Sequence, residues 1–390
     1  MRIRSSRTVT SMLAGVAAVG AAALPATAGA STHATHSTRV VGHVYVDDNT
    51  VGTNTIAGFD RHADGSLTPT PGAPFATGGA GSGTGLSSQG AVQISPDGRF
   101  ILAVDPGSNQ VSVLRIKDDG TLERVRGGTV ASGGSLPVSI AVHDDLVYVA
   151  NAADGASNYT GFRLRRNGVL QRIPGSTARL PDGSQPGDVL FNRDGTRLVG
   201  TRINSSLIDS FTVGADGRLT AAAGSPFPAQ GVGPFGSEFS PTKTDQLFVS
   251  NAHDGAGAGT VSVFNDSATG VLTPIGGSPF ANGETATCWV EISHDGHFLF
   301  AVNTASGTIS RYAVADDGAL TLLGNTPVAA TGGVGAVDAR LSPDGRTLYV
   351  DESRVGSLGV FAVDGGNLTE IDASPVALPQ GATAAGVAVN

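Results

Sequence analysis

An all-β fold made from one repeated four-stranded unit is what this sequence predicts, on three observations. A run of alternating and apolar segments punctuated by tight turns, Ala91 to Val125, recurs along the chain. It recurs at roughly 45–55 residues, the period of four-stranded propeller blades. The two chain ends carry complementary fractions of one more copy. Together these predict a seven-bladed β-propeller of four-stranded blades, its ring closed by pairing the C-terminal strand with an N-terminal partial blade.

Within the unit, Ala91 to Ile94 alternates as a strand, and Ser95-Pro96-Asp97-Gly98 supplies a turn in which Pro presets φ and Gly tolerates the bend. Phe100 to Val104 is nearly unbroken apolar sequence, as a strand buried on both faces requires. Gln110 to Ile116 alternates again, and Asp118-Asp119-Gly120 turns the chain into Thr121 to Arg124. Copies follow from Ser139, Asp188, Ser237, Trp289 and Asp338. His43 to Thr70 holds the second, third and fourth strands of a seventh copy, and Ala385 to Asn390 reads as its missing first strand. Such closure leaves no open sheet edge between the termini.

The first thirty residues stand apart. Arg2, Arg4 and Arg7 precede an apolar stretch from Met12 to Leu24, and small residues around Ala28 and Ala30 suit a peptidase. Residues 1–30 therefore read as a secretory signal peptide, residues 31–39 as a short exposed segment, and 40–390 as one propeller domain in a secreted protein. The 56 Gly and 20 Pro among 390 residues fit a turn-rich chain, and the net charge of −9 argues against nucleic acid as a partner. No stretch of the mature chain reads as a membrane span, and a monomer is expected. Cys288 is the single cysteine, so no internal disulfide can form; it reads as a small buried residue.

Two inter-strand features recur or stand out. Gly72-Ala73-Pro74-Phe75, Gly224-Ser225-Pro226-Phe227 and Gly277-Ser278-Pro279-Phe280 read as turns whose Phe fills the gap between neighbouring sheets. The Gly/Ser-rich segment Thr77 to Gly90 lacks apolar periodicity and reads as a flexible surface loop.

The SPDGRF-type turn, the LYVAN-type second strand, the VSVF-type third strand, the DGxL hairpin and the GSPF turn together resemble the seven-bladed propeller lactonase family, from about Val40 to Asn390. The resemblance implies lactone chemistry of the 6-phosphogluconolactonase or carboxymuconate-cyclase kind, with His, Arg and Glu side chains on the rim of the central channel. Where that family often has Gly-Pro-Arg-His, this chain reads Gly233-Pro234-Phe235-Gly236.

Residues i and i+2 of a strand share a face, so Trp289 with Glu291, and Asp338 with Arg340, project together towards the channel. Asp188 and Glu238 occupy equivalent places. Glu291, Asp338 and Arg340 are the catalytic candidates: a carboxylate to activate water, and a guanidinium to hold an anion or a developing oxyanion. Asp188, Glu238, Trp289 and His253 are the ligand-binding candidates, His253 coming from a loop after a second strand. The other loop polar residues, such as Asn151, Asn251 and Asn303, read as structural. Neither a cofactor nor a metal ligand set is expected; His294 and His297 merely flank a turn. Two functions fit: a metal-independent lactone hydrolase, and a non-catalytic propeller binding a small ligand, a protein or a cell-envelope partner.

Overall fold

Seven inner strands set the architecture: Val92–Ile94, Pro137–His143, Pro186–Phe191, Pro234–Phe239, Thr287–Ile292, Ala336–Leu341 and Gly386–Val389. In the computed structural model, which describes residues 39–328 and 335–390, each inner strand touches the next around a central axis, and the last touches the first. Behind each lies an antiparallel sheet with three further strands in chain order. The blade begun at Val92–Ile94 continues through Phe100–Asp105, Gln110–Ile116 and Leu122–Arg124, close to the expected bounds. We number the blades in chain order, the split blade being the first. The proposed signal peptide and residues 31–38 lie outside the described residues. Among the described residues no helix is long and apolar enough to cross a membrane.

In blade 1, Gly386–Val389 pairs antiparallel with Val40–Asp47, Val44 opposite Val389 and Asp47 opposite Gly386. His43 and Asn390 exchange backbone hydrogen bonds at the outer end of this seam.

Burial explains the apolar second strands: Phe100–Asp105, Leu146–Asn151 and Thr347–Glu352 are buried at every position. Two asparagines at second-strand ends bond within their own blades through the side-chain amide nitrogen. Asn251 Nδ2 donates to Thr260 and Ser262 hydroxyls at 3.0 and 2.8 Å, and Asn303 Nδ2 repeats this with Thr308 and Ser310. Neighbouring blades are fastened by tyrosines: Tyr45 Oη donates to Gly120 O at 2.9 Å, and Tyr148 Oη to Gly217 O at 2.7 Å, each in the next blade's hairpin. The Ser-Pro-Asp-Gly turn closes through Asp97 Oδ1, which accepts from Ser95 Oγ and from Arg99 N.

The Gly-Ser-Pro-Phe motifs are more than turns. Phe75, Phe227 and Phe280 each begin a two-residue strand that pairs with the third strand of its own blade. Their rings are half-buried against clusters that combine two blades; Phe75 packs with Tyr45 and Ile56 on one side and Ile101 and Ala103 on the other.

The segment from Thr77 to Gly90 corrects the expectation of a flexible surface loop. Its first half is tied down: Thr77 Oγ1 donates to Asp105 Oδ1 at 2.6 Å, Gly81 N to Thr50 O and Gly83 N to Asn49 O, both at 2.9 Å. Its second half crosses the mouth of the channel, where Ser88 and Gln89 are 2% and 3% exposed. The glycines serve close approach rather than mobility. A Cβ on Gly81 would sit 2.2 Å from the Asn49 carbonyl carbon, and one on Gly79 2.4 Å from the Asp105 carboxyl.

Candidate functional site

Strand register places the predicted residues on two levels of the channel. Asp188, Trp289 and Asp338 stand with Ala91, Ser139 and Gly236 near the strand starts. Two residues further along come Gln93, Glu238, Glu291 and Arg340, which face Leu102, Phe248, Phe300 and Tyr349, each the third residue of its second strand.

The lower level holds an ion-pair cluster. Arg340 Nη1 lies 3.1 Å from Glu238 Oε1 and 3.1 Å from Glu291 Oε2, so one guanidinium edge bridges carboxylates from two neighbouring blades. Glu291 Oε1 accepts the Leu341 amide at 2.9 Å, which occupies both of its oxygens. Among the described residues Glu238 uses only Oε1, for Arg340 and for Gln89 Nε2 at 3.3 Å. The side chains of Arg340, Glu238 and Glu291 are 23%, 15% and 7% exposed. Burial pushes Glu238 up to about 8, opposed by Arg340 and reinforced by Glu291 and Asp188. Burial also raises Glu291 against the pull of Arg340. Arg340 itself would be lowered by burial, but Glu291 and Glu238 outweigh this and hold it charged.

The upper level is more enclosed. Asp188 is 2% exposed. Its Oδ1 accepts from Ser139 Oγ at 3.1 Å, and its Oδ2 from the Ser237 amide and hydroxyl at 3.0 and 2.6 Å. Burial nevertheless carries it up to about 7. Asp338, 1% exposed, accepts its own neighbour's amide, Ala339 N, at 2.9 Å and Val387 N at 3.2 Å, the latter across the blade 7–blade 1 boundary. Burial raises it to about 6, with Arg340 acting in the opposite sense. Asp338 and Arg340 share a face, yet Arg340 makes its salt bridges with Glu238 and Glu291.

Sequence reasoning missed the group that separates these levels from the mouth. Gln89 Nε2 donates to Ser237 O at 3.1 Å and Val290 O at 3.3 Å, while its Oε1 accepts Val290 N at 3.2 Å. A Cβ at Gly236 would lie 2.0 Å from Gln89 Oε1. Gly236 thus leaves room for an amide delivered from blade 2's approach, at the motif where the family often carries His. Trp289 Nε1 donates to Ser88 O at 2.7 Å, fixing the indole against the same segment. One signal was present: the crossover from Phe75 to Ala91 is longer than its counterparts from Phe227 to Gly236 and from Phe280 to Trp289.

Trp289 and His253 fall on the outer side of this plug, where they line a cavity of about 280 Å³. The candidates therefore divide. Glu238, Glu291 and Arg340 meet in the channel with Asp188 and Asp338 one level above, whereas Trp289 and His253 belong to the mouth. Cys288, also at the mouth, is buried, and burial pushes its thiol up to about 12, leaving it neutral.

Comparison with known proteins agrees with this architecture. The model of the lactonase, 7-bladed beta-propeller family matches residues 50–178 and 199–326. A 6-phosphogluconolactonase of Serratia proteamaculans is 24% identical over 288 residues, 71% of this chain and 82% of the relative. Among solved structures, a Bacteroides uniformis protein provisionally named a 6-phosphogluconolactonase superposes with a TM-score of 0.70 at 20% identity, covering 90% of this chain and 99% of its own. The periplasmic gluconolactonase of Pseudomonas aeruginosa gives 0.68 at 19% identity, over 89% and 98%. On the strength of the family match across two separate stretches of blades, this chain belongs to the lactonase family of seven-bladed β-propellers.

Proposed function

We propose that this protein is an exported hydrolase of an uncharged lactone, acting from the channel level of Glu238, Glu291 and Arg340 with its own side chains as the reacting groups. Family membership supports lactone chemistry, and the basic, apolar and small-residue order of residues 1–30 supports export. The observation that carries the substrate class is the bridging of Arg340 by two carboxylates. Its charge is already matched, and Asp188 and Asp338 add further acid above it. A phosphorylated lactone would meet repulsion there; a neutral one would not.

Glu238 is the proton carrier in this reading, because its Oε2 has no protein partner among the described residues and burial holds it up to about 8. Glu238 takes a proton as water adds to the lactone carbonyl carbon. The ring C–O bond then breaks, and the same carboxyl returns the proton to the departing oxygen, giving a hydroxy acid. Among the described residues Arg340 engages protein only through Nη1, leaving other N–H groups for the oxyanion. Glu291, with both oxygens occupied, positions Arg340.

Acid release should be followed over a panel of neutral and phosphorylated lactones, with wild type beside Glu238→Gln and Arg340→Met. Turnover of neutral lactones, reduced by about 100-fold or more in Glu238→Gln, is the expected outcome for loss of a general base. Well-folded protein that never exceeds the spontaneous rate would instead mark a binding propeller.

A further inference from the structure

The cavity at the channel mouth has a chemistry unlike the cluster beneath it. Leu86, Ser88, Phe235, His253, Cys288 and Trp289 are among its lining residues, and no Lys, Arg, Asp or Glu is. Phe235 and Trp289 meet edge to face at 5.0 Å and 65°, forming a rigid aromatic wall. The Trp289 N–H is already spent on Ser88 O, so the wall offers only apolar surface. Two hydroxyls of the lining are unspent: the Oγ of Ser88, which is 2% exposed, and the Oγ1 of Thr304 have no hydrogen-bond partner among the described residues. A buried hydroxyl without a partner carries a cost that a ligand atom could relieve.

The volume of about 280 Å³ lies near the lower end of the range for small-molecule sites, roughly 300 Å³ and upward, and is too small for a folded segment of another chain. Charge narrows the occupant further. Among the described residues the only titratable groups at the wall are His253 and the neutral Cys288 thiol, so an anion would be desolvated without a fixed cation to meet it. We infer that this mouth cavity is a second binding site, separate from the channel cluster, which takes an uncharged, mainly apolar small molecule and offers it the unpaired hydroxyls of Ser88 and Thr304. Ser88 and Gln89 are the partition between the two sites.

Trp289 is the only tryptophan, so its emission reports this site alone. The full chain should be titrated with N-phenyl-1-naphthylamine, an uncharged aromatic probe, and with 8-anilinonaphthalene-1-sulfonate, its anionic relative. Saturable quenching of Trp289 by the neutral probe is expected, with the sulfonate weaker by about tenfold or more, the cost of burying an unpaired charge. Ser353→Leu and Thr304→Leu each fill the cavity and should abolish quenching, whereas Ser353→Ala should keep it. Whichever filled variant melts with the wild type decides the matter. Unsaturable quenching, equal affinity for the sulfonate, or wild-type binding by a folded filled variant would overturn the assignment. The readout is binding, so absence of lactone turnover leaves it intact.

Discussion

Glu238 shows how one side chain's surroundings set its chemistry. A carboxyl in water is ionised throughout the neutral range, and would be a weak base there. Burial under the Gln89 plug raises Glu238 to about 8 despite Arg340 at 3.1 Å, because Glu291 and Asp188 oppose a further negative charge nearby. If Glu238 is the base, its ionised form is the active one, so turnover should climb as pH rises and level off above about 8. Glu238→Gln should lose that limb along with most of the rate. A wild-type profile that is flat from pH 6 to 9 would remove Glu238 from the mechanism. Asp188 and Asp338 offer a contrast, since every oxygen they have is committed to Ser139, Ser237 or backbone amides. Substituting either should disturb the packing of adjacent inner strands before it touches the proton transfer.

At the scale of the element, the plug from Thr77 to Gly90 is the feature that most changes the site. Gly236→Ala puts a Cβ where Gln89 Oε1 now lies, 2.0 Å away, and the amide side chain must leave. Its four hydrogen bonds to blades 5 and 6 go with it. The expected result is a red-shifted Trp289 emission and faster amide exchange across residues 84–90, with little change in the blades; an unaltered Trp289 spectrum would show that the plug is not seated on Gly236. Blade strands were legible in sequence because their periodicity and turn residues are local signals: Gln110–Ile116 begins and ends where alternation does. The plug was not, because Gly and Ser in succession describe a mobile linker and a tightly approached backbone equally well. What distinguishes them is Asn49, Asp105 and Gly236, which lie far away in sequence. Arg340 was placed on the correct face by the two-residue period of its strand. Its partners could not be read the same way, since its long side chain reaches acids on other blades.

The ring closes where blade 7 meets blade 1, whose inner strand is the last in the chain. Removing residues 386–390 deletes the strand that pairs Val44 to Asp47, together with the amide that anchors Asp338. The melting temperature should therefore fall by many degrees, and a truncated chain melting like the wild type would mean that closure contributes little. This seam is also loaded with acid. Asp351 is fully buried and, among the described residues, neither of its carboxyl oxygens has a hydrogen-bond partner, while Asp47 and Asp48 each keep one oxygen without one. Burial raises all three, Asp48 to about 7, and for Asp351 the neighbouring Asp338, Asp48, Glu352 and Asp47 push in the same direction. Acids raised in the folded state bind protons more tightly there than in the unfolded chain, so folding takes up protons. Their stabilising contribution is complete below the unfolded carboxylate value. It is lost as pH climbs through the folded values, about 6 for Asp338, 7 for Asp48 and Asp188, and 8 for Glu238. The protein should melt higher at about pH 5.5 than at about pH 8.5, the reverse of a fold held by salt-bridged carboxylates. Asp351→Asn, which removes a titrating group while keeping its shape, should flatten that dependence and narrow the gap. If the melting temperature instead rises with pH, or the variant's profile parallels the wild type, the seam acids do not govern the stability of the ring.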